Sequence, residues 1–187
     1  MEGSRAEVVI LISGGIDSAA LLNYFIEDNF YVRALFIDYG QKASIHEYAS
    51  ARKICKYYGV KLKKLSLKNN KDFGPGEILG RNGFLVFSAL MHSEIKSGFI
   101  SLGIHLGTPY YDCSKLFVDN VNNILLGYYG GQILLTAPFL NWTKRMIFDY
   151  CAITGIPLSL TYSCENGSNP PCGVCPSCID RGVLDVQ

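Results

Sequence analysis

Short apolar runs alternate along this chain with longer stretches whose apolar residues recur at helical spacing. The first run, Glu7-Val8-Val9-Ile10-Leu11-Ile12, shows no polar alternation, as expected of a strand covered on both faces. Behind it, Ala19, Ala20, Leu21, Leu22, Phe25 and Ile26 fall on one helical period. The pattern predicts strands near 7–12, 31–37, 61–67, 99–103 and 132–136. It predicts helices near 18–28, 44–58, 82–97, 114–127 and 143–154. Gly59, Gly98, Gly127 and Gly155 stand where helix C-caps are expected, and Pro157 helps to end the last helix. Strands separated by helices of this length predict an α/β fold, a parallel twisted sheet with helices on both faces. The periodic pattern stops near Ser159, where Ser, Asn, Pro, Gly and Cys take over. Residues 1–187 are expected to form one domain, with 159–181 as an integral segment.

Composition narrows the function classes. At 187 residues and 49% hydrophobic, the chain can bury one substantial core. A formal charge of +1 provides no overall basic field for nucleic acid. The densest basic run, Lys61-Leu62-Lys63-Lys64 with Lys68 and Lys71, is interleaved with leucines and reads as a solvated strand edge and its loop. The opening, with Glu2 and Arg5, lacks the apolar centre of a signal peptide, and no apolar run reaches membrane-span length. A cytoplasmic protein with reduced cysteines is expected.

In a parallel sheet, ligands bind at the carboxyl ends of the strands. The first such turn is Ser13-Gly14-Gly15-Ile16-Asp17-Ser18. Its glycines allow a tight bend and close approach of backbone N–H groups. The serines add hydroxyl donors, and the following helix points its positive end at the same place. These features predict a phosphate cradle. The plainer alternative is a turn with Asp17 or Ser18 as helix N-cap. No Lys-Ser/Thr pair follows the glycines, so this is no Walker A loop, and the G-x-G-x-x-G spacing is also missing. Later loops on the same rim carry Asp38-Tyr39-Gly40-Gln41, Gly80-Arg81-Asn82, His105 to Cys113, and Asn141, Thr143 and Lys144.

Cys164, Cys172, Cys175 and Cys178 form C-x7-C-x2-C-x2-C, a spacing that can close a tetrahedral four-thiolate zinc site. Iron–sulfur ligation is the rival, since C-x2-C-x2-C also occurs there. Cys55 and Cys151 read as small core residues. Cys113 lies on the rim, where a reactive role is open.

The hexapeptide at 13–18 resembles the Ser-Gly-Gly-x-Asp-Ser loop of the ATP pyrophosphatase (PP-loop) family, which adenylates a carbonyl or carboxylate and expels pyrophosphate. Together with Asp-Tyr-Gly-Gln, Gly-Arg-Asn, Tyr110-Tyr111-Asp112-Cys113 and the segment Ser163-Cys164-Glu165 through Cys178 and Arg181, the order resembles the QueC family from about Val8 to Arg181. That resemblance implies an adenine nucleotide alpha hydrolase-like fold with a small C-terminal zinc-binding segment. It also implies ATP, Mg2+ and Zn2+ as cofactors, a deazapurine substrate with ammonia, and a homodimer. QueC-type enzymes activate 7-carboxy-7-deazaguanine, capture it with ammonia and dehydrate the amide to the nitrile.

On this reading Ser13, Gly14, Gly15, Ile16 and Ser18 hold ATP phosphates, with Tyr39 and Gln41 beside the nucleotide. Asp17 orients the loop or reaches a magnesium-bound water, its plain alternative being a helix cap. Arg81 pairs with a phosphate or carboxylate, and Lys144 offsets charge as pyrophosphate leaves, or is an ordinary solvated lysine. Tyr39 and Tyr110 stack on a purine-like ring, while Asn82 and Asp112 read the base edge. The chain departs from the pattern in a shorter 105–114 loop and a shorter 67–80 connection. It thereby also resembles short QueC-like proteins of antiviral defence operons, which implies a protein amine as a second possible acceptor. A PP-loop tRNA-modifying enzyme and a non-catalytic nucleotide sensor stand as further alternatives.

Overall fold

The computed structural model describes residues 5–68 and 71–185; Glu2 and residues 69–70 of the 67–80 connection lie outside them. The chain runs β1 (Glu7–Leu11), α1 (Ile16–Glu27), β2 (Tyr31–Asp38), α2 (Ser44–Tyr57), β3 (Lys61–Ser66), α3 (Arg81–His92) and β4 (Gly98–Ser101). It continues through α4 (Lys115–Tyr129), β5 (Ile133–Thr136), α5 (Lys144–Ile153) and α6 (Pro176–Asp185). The five strands lie in the order β3-β2-β1-β4-β5, and every pairing is parallel.

Strand parity sorts the core. Val8, Ile10, Val32, Ala34 and Phe36 face α1, α2 and α5, whereas Val9, Leu11, Leu35, Ile37 and Leu65 face α3 and α4. The uninterrupted apolar sequence of β1 follows from this, because both of its faces are covered. Strand order reverses between β1 and β4, so the loops leaving these two strands diverge and open a crevice between them.

Three local expectations are corrected. Helix α3 ends at His92, not near 97; Ser93 and Ile95 are buried after it, which is why the periodicity seemed to continue. Gly98 is the first residue of β4 and no C-cap, and a side chain there would collide with the Glu7 carbonyl of the adjoining strand. Gly127 lies inside α4, which runs on to Tyr129 and is capped by Gly130 in the left-handed conformation. Helix α6 was not anticipated. Among the described residues, no helix is long and apolar enough to cross a membrane.

Candidate functional site

The β1–α1 turn is held from inside. The Ser18 hydroxyl accepts from the Gly14 N–H at 3.1 Å and donates to the Gly15 carbonyl at 3.0 Å. Ser13 Oγ accepts from the Gly15 N–H at 3.3 Å. Gly15 is the α1 N-cap residue, and no side chain caps the helix; the alternative of Asp17 or Ser18 as N-cap is thereby corrected. The first turn therefore presents a positive end to the cavity. Gly14 has φ +81°, and a Cβ there would run into the Glu47 carbonyl of α2. Gly14→Ala is expected to cost at least about 2 kcal/mol, from left-handed backbone and this clash. Thermal unfolding should register it as a drop of roughly 4–8 °C in a chain of this size.

Asp17 and Lys144 meet across the crevice. Lys144 Nζ, at the start of α5, donates to Asp17 Oδ2 at 2.5 Å, joining residues 127 positions apart. Both side chains are about three-quarters buried, so the pair is less screened than a surface ion pair. His105 Nε2 stands 4.0 Å from the same carboxylate oxygen, and its Nδ1 is 2.8 Å from the Leu106 carbonyl. Asp17 Oδ1 is buried without a hydrogen-bond partner. An unspent carboxylate oxygen at the uncapped start of α1 is a hard donor that fits Mg2+ or water bound to it.

These groups line one cavity of about 900 Å³, the size of a generous small-molecule site. Ser13, Ser18, Tyr39, Arg81, Tyr110 and Lys144 all reach it. Burial pushes the Tyr39 phenol up, partly countered by the Arg81 guanidinium. Burial likewise raises the Glu47 carboxyl, against a 2.9 Å hydrogen bond from Gln41 Nε2 and the charge of Arg81. Gln41 also accepts from the Tyr39 N–H at 3.0 Å and donates to the Ile37 carbonyl at 3.3 Å. Its amide is committed to shaping the loop. Ile16 is 3% exposed and forms part of the cavity floor.

The four thiols of Cys164, Cys172, Cys175 and Cys178 lie within 4.8 Å of one another. Thiolates about 2.3 Å from a tetrahedral zinc stand about 3.8 Å apart, so the donor set fits a single ion. A four-iron cluster would hold the sulfurs wider apart. Burial opposes ionisation of Cys164, but hydrogen bonds from Ser168 and the Cys172 N–H outweigh it and lower the thiol. This segment is tied to the β1–α1 turn by a 2.9 Å hydrogen bond from the Tyr162 N–H to the Gly14 carbonyl. Glu165 ties it separately to the 67–80 connection. One of its oxygens accepts from the Ser177 N–H and hydroxyl at 3.1 and 2.7 Å, the other from the Gly76 N–H at 2.8 Å.

With this geometry in view, comparison with known families is decisive. The sequence model described as queuosine biosynthesis protein QueC matches residues 7–100 and 78–183. The chain belongs to the QueC family. It is 29% identical over 205 residues to 7-cyano-7-deazaguanine synthase of Aquifex aeolicus, with 93% of this chain and 94% of that protein aligned. It is 30% identical over 206 residues to the protein of the same name from Persephonella marina, covering 94% and 90%. Among solved structures it is similar to the U34-tRNA thiolase NcsA from Methanococcus maripaludis with its [4Fe-4S] cluster. That match has a TM-score of 0.56 at 15% identity, over 98% of this chain and 65% of that one, a likeness of fold.

Within this QueC-family chain, the geometry redirects one substrate-reading expectation, that for Asp112. Asp112 is 8% exposed and turns to the α3 N-terminus, where Oδ2 accepts from the Asn82 N–H at 3.0 Å. Asn82 is 3% exposed and donates back to the Asp112 carbonyl at 2.9 Å. The two clamp the 3-10 turn Tyr111–Cys113 onto α3; Asp112 is thereby turned away from the cavity, while Asn82 stays in its lining. Cys113 is caught in the same clamp. Burial and the neighbouring Asp112 push its thiol up to about 11, which disfavours the nucleophilic thiolate. At pH 8 only about one part in a thousand would be thiolate, so iodoacetamide should label Cys113 far more slowly than a free thiol. The rate should climb steeply as pH rises toward 11.

Glu47, Tyr162 and Ser177 belong to the cavity without having been assigned a role from sequence. Nothing in their local spacing marks them; only the Ser-Cys-Glu resemblance drew attention to Glu165. Tyr162 stacks on His46 with ring centroids 5.0 Å apart. Arg181 donates to Thr161 Oγ1 at 2.9 Å and to the Leu158 carbonyl at 3.1 Å, fastening α6 beside the cavity.

Proposed function

We propose that this chain activates the carboxylate of 7-carboxy-7-deazaguanine with ATP and transfers the acyl group to an amine. The reading is carried by one juxtaposition. The Asp17–Lys144 pair stands at the uncapped start of α1, in the same cavity as Tyr39, Arg81 and Tyr110. Family membership supports it, through relatives named 7-cyano-7-deazaguanine synthase.

In the first step a substrate carboxylate oxygen bonds to the α-phosphorus of ATP, and the bond to pyrophosphate breaks. The Ser13–Ser18 turn holds phosphate oxygens, and Lys144 offsets the charge that gathers on the leaving pyrophosphate. Asp17 would hold Mg2+, directly or through water, and the ion would supply further charge neutralisation there. Tyr39 and Tyr110 offer ring faces to the purine-like groups, and Arg81 offers a fork to an oxyanion. In the second step the amine nitrogen bonds to the acyl carbon, AMP leaves with the C–O electron pair, and the amine gives up a proton. With ammonia as the amine, a further ATP-dependent loss of water converts amide to nitrile. The four cysteines would hold Zn2+, which would serve structure.

A second reading takes a protein amine as acceptor. Its support is the short 105–114 loop, where Leu106 is 55% exposed, and Leu79 of the short 67–80 connection, 88% exposed. Uncovered apolar residues of this kind suit docking of another chain.

Mass spectrometry of a reaction with ATP, Mg2+, 7-carboxy-7-deazaguanine and ammonium tests the proposal. AMP and a nitrile product are expected. AMP with amide alone would favour the protein acceptor. No substrate-dependent AMP from metal-replete, folded protein would overturn the proposal and favour a nucleotide sensor, or a tRNA enzyme whose RNA binding collapses with salt.

A further inference from the structure

Helix α3 returns the chain from β3 to the middle of the sheet and packs chiefly over β1 and β4. On that face, the amino-terminal ends of β2 and β3 lie under less helical cover. Parallel register puts Val9, Arg33 and Lys61 in one row across the strands, and Leu11, Leu35 and Lys63 in the next. Leucine and isoleucine fill this face toward the carboxyl ends, while Arg33, Lys61 and Lys63 take over toward the amino ends. Together with Ser93 and Glu94, just beyond α3, these three cations line a second cavity of about 140 Å³.

Two residues of its wall carry a buried, unspent donor. Ser93 is 3% exposed, and its hydroxyl has no hydrogen-bond partner. After α5, by contrast, the Thr154 hydroxyl bonds back to the Tyr150 carbonyl at 2.7 Å, as helical hydroxyls commonly do. Arg33 Nε is also buried and unpartnered, although Nη2 of the same guanidinium is held by Glu7. An Nε–H can only donate, so its partner must be an acceptor. A cavity several times a water's share of liquid volume has room for more than one solvent molecule. Lys63 is engaged only loosely, 3.6 Å from a Glu94 whose side chain is 81% exposed and can swing away.

We infer that this cavity is a binding site for a small oxyanion, phosphate or a short carboxylate, seated on the Arg33 Nε–H and the Ser93 hydroxyl. Lys61 and Lys63 supply charge, and Glu94 gives way as the ligand enters. The site lies at the opposite ends of the strands from the Ser13–Ser18 turn, so its ligand does not compete for the nucleotide cradle.

The test is a residue-resolved NMR titration of the full chain with inorganic phosphate, and separately with acetate. Saturable shifts of the Arg33 Nε–H and Ser93 amide signals are expected with at least one anion, and the anion that acts identifies the ligand class. Apparent affinity should fall at least tenfold in a Lys61→Ala/Ser93→Ala variant whose remaining spectrum is unchanged. Lys61→Glu, at an exposed position, should weaken binding in the same direction. Shifts confined to residues 13–18, no shift at Arg33 and Ser93, or shifts unaltered in both variants would overturn the inference.

Discussion

Replacing Lys144 with alanine should lower turnover by about two to three orders of magnitude, the usual cost of losing one preorganised group aimed at developing charge. The deficit is expected in kcat rather than in KM for ATP, because the charge that Lys144 offsets grows as pyrophosphate departs. Lys144→Arg should recover part of it. Metal content should match the parent, since Lys144 is not among the four cysteines, while melting temperature should fall modestly as Asp17 loses its partner. Turnover within threefold of the parent, together with a lower melting temperature, would make the Asp17–Lys144 pair a brace between α1 and α5.

The second large effect concerns the cysteines. Cys175→Ser should remove bound metal and lower thermal stability together, because assembly of a four-thiolate site and folding of its segment are one equilibrium. A loss of about 4 kcal/mol corresponds to roughly 8–16 °C in a chain of this size. Cys175 is 3% exposed and directly precedes α6, so the damage should spread into that helix. Metal analysis and calorimetry on the same sample decide the matter. An unchanged melting curve in metal-free variant protein would dismiss a structural ion.

How much of this was legible in the sequence depended on whether the signal was local. The unbroken Val8–Leu11 run and the helical period behind it placed β1, α1 and the intervening turn, since burial on both faces leaves a plain pattern. Helix α6 went unread because its first residues, Pro176-Ser177-Cys178, carry turn and metal chemistry in place of an apolar period. Lys144 and Asp17 each stood out at a helix start, but their contact depends on two loops 127 residues apart, which no spacing encodes. Asp112 misled for a related reason. A carboxylate on a rim loop looks like a ligand group until the fold sets the α3 N-terminus in front of it.

The hydrogen bond from Tyr162 to the Gly14 carbonyl makes the metal segment and the nucleotide loop mechanical neighbours. Thermodynamic reciprocity then applies in both directions. Whatever the ion contributes to nucleotide affinity by steadying that loop, bound nucleotide returns as tighter retention of the ion. At equilibrium, a chelator should therefore take the ion from nucleotide-saturated protein less readily, by the same factor that metal loss weakens nucleotide binding. Where metal is scarce, nucleotide-bound molecules would be the last to lose an ion held there.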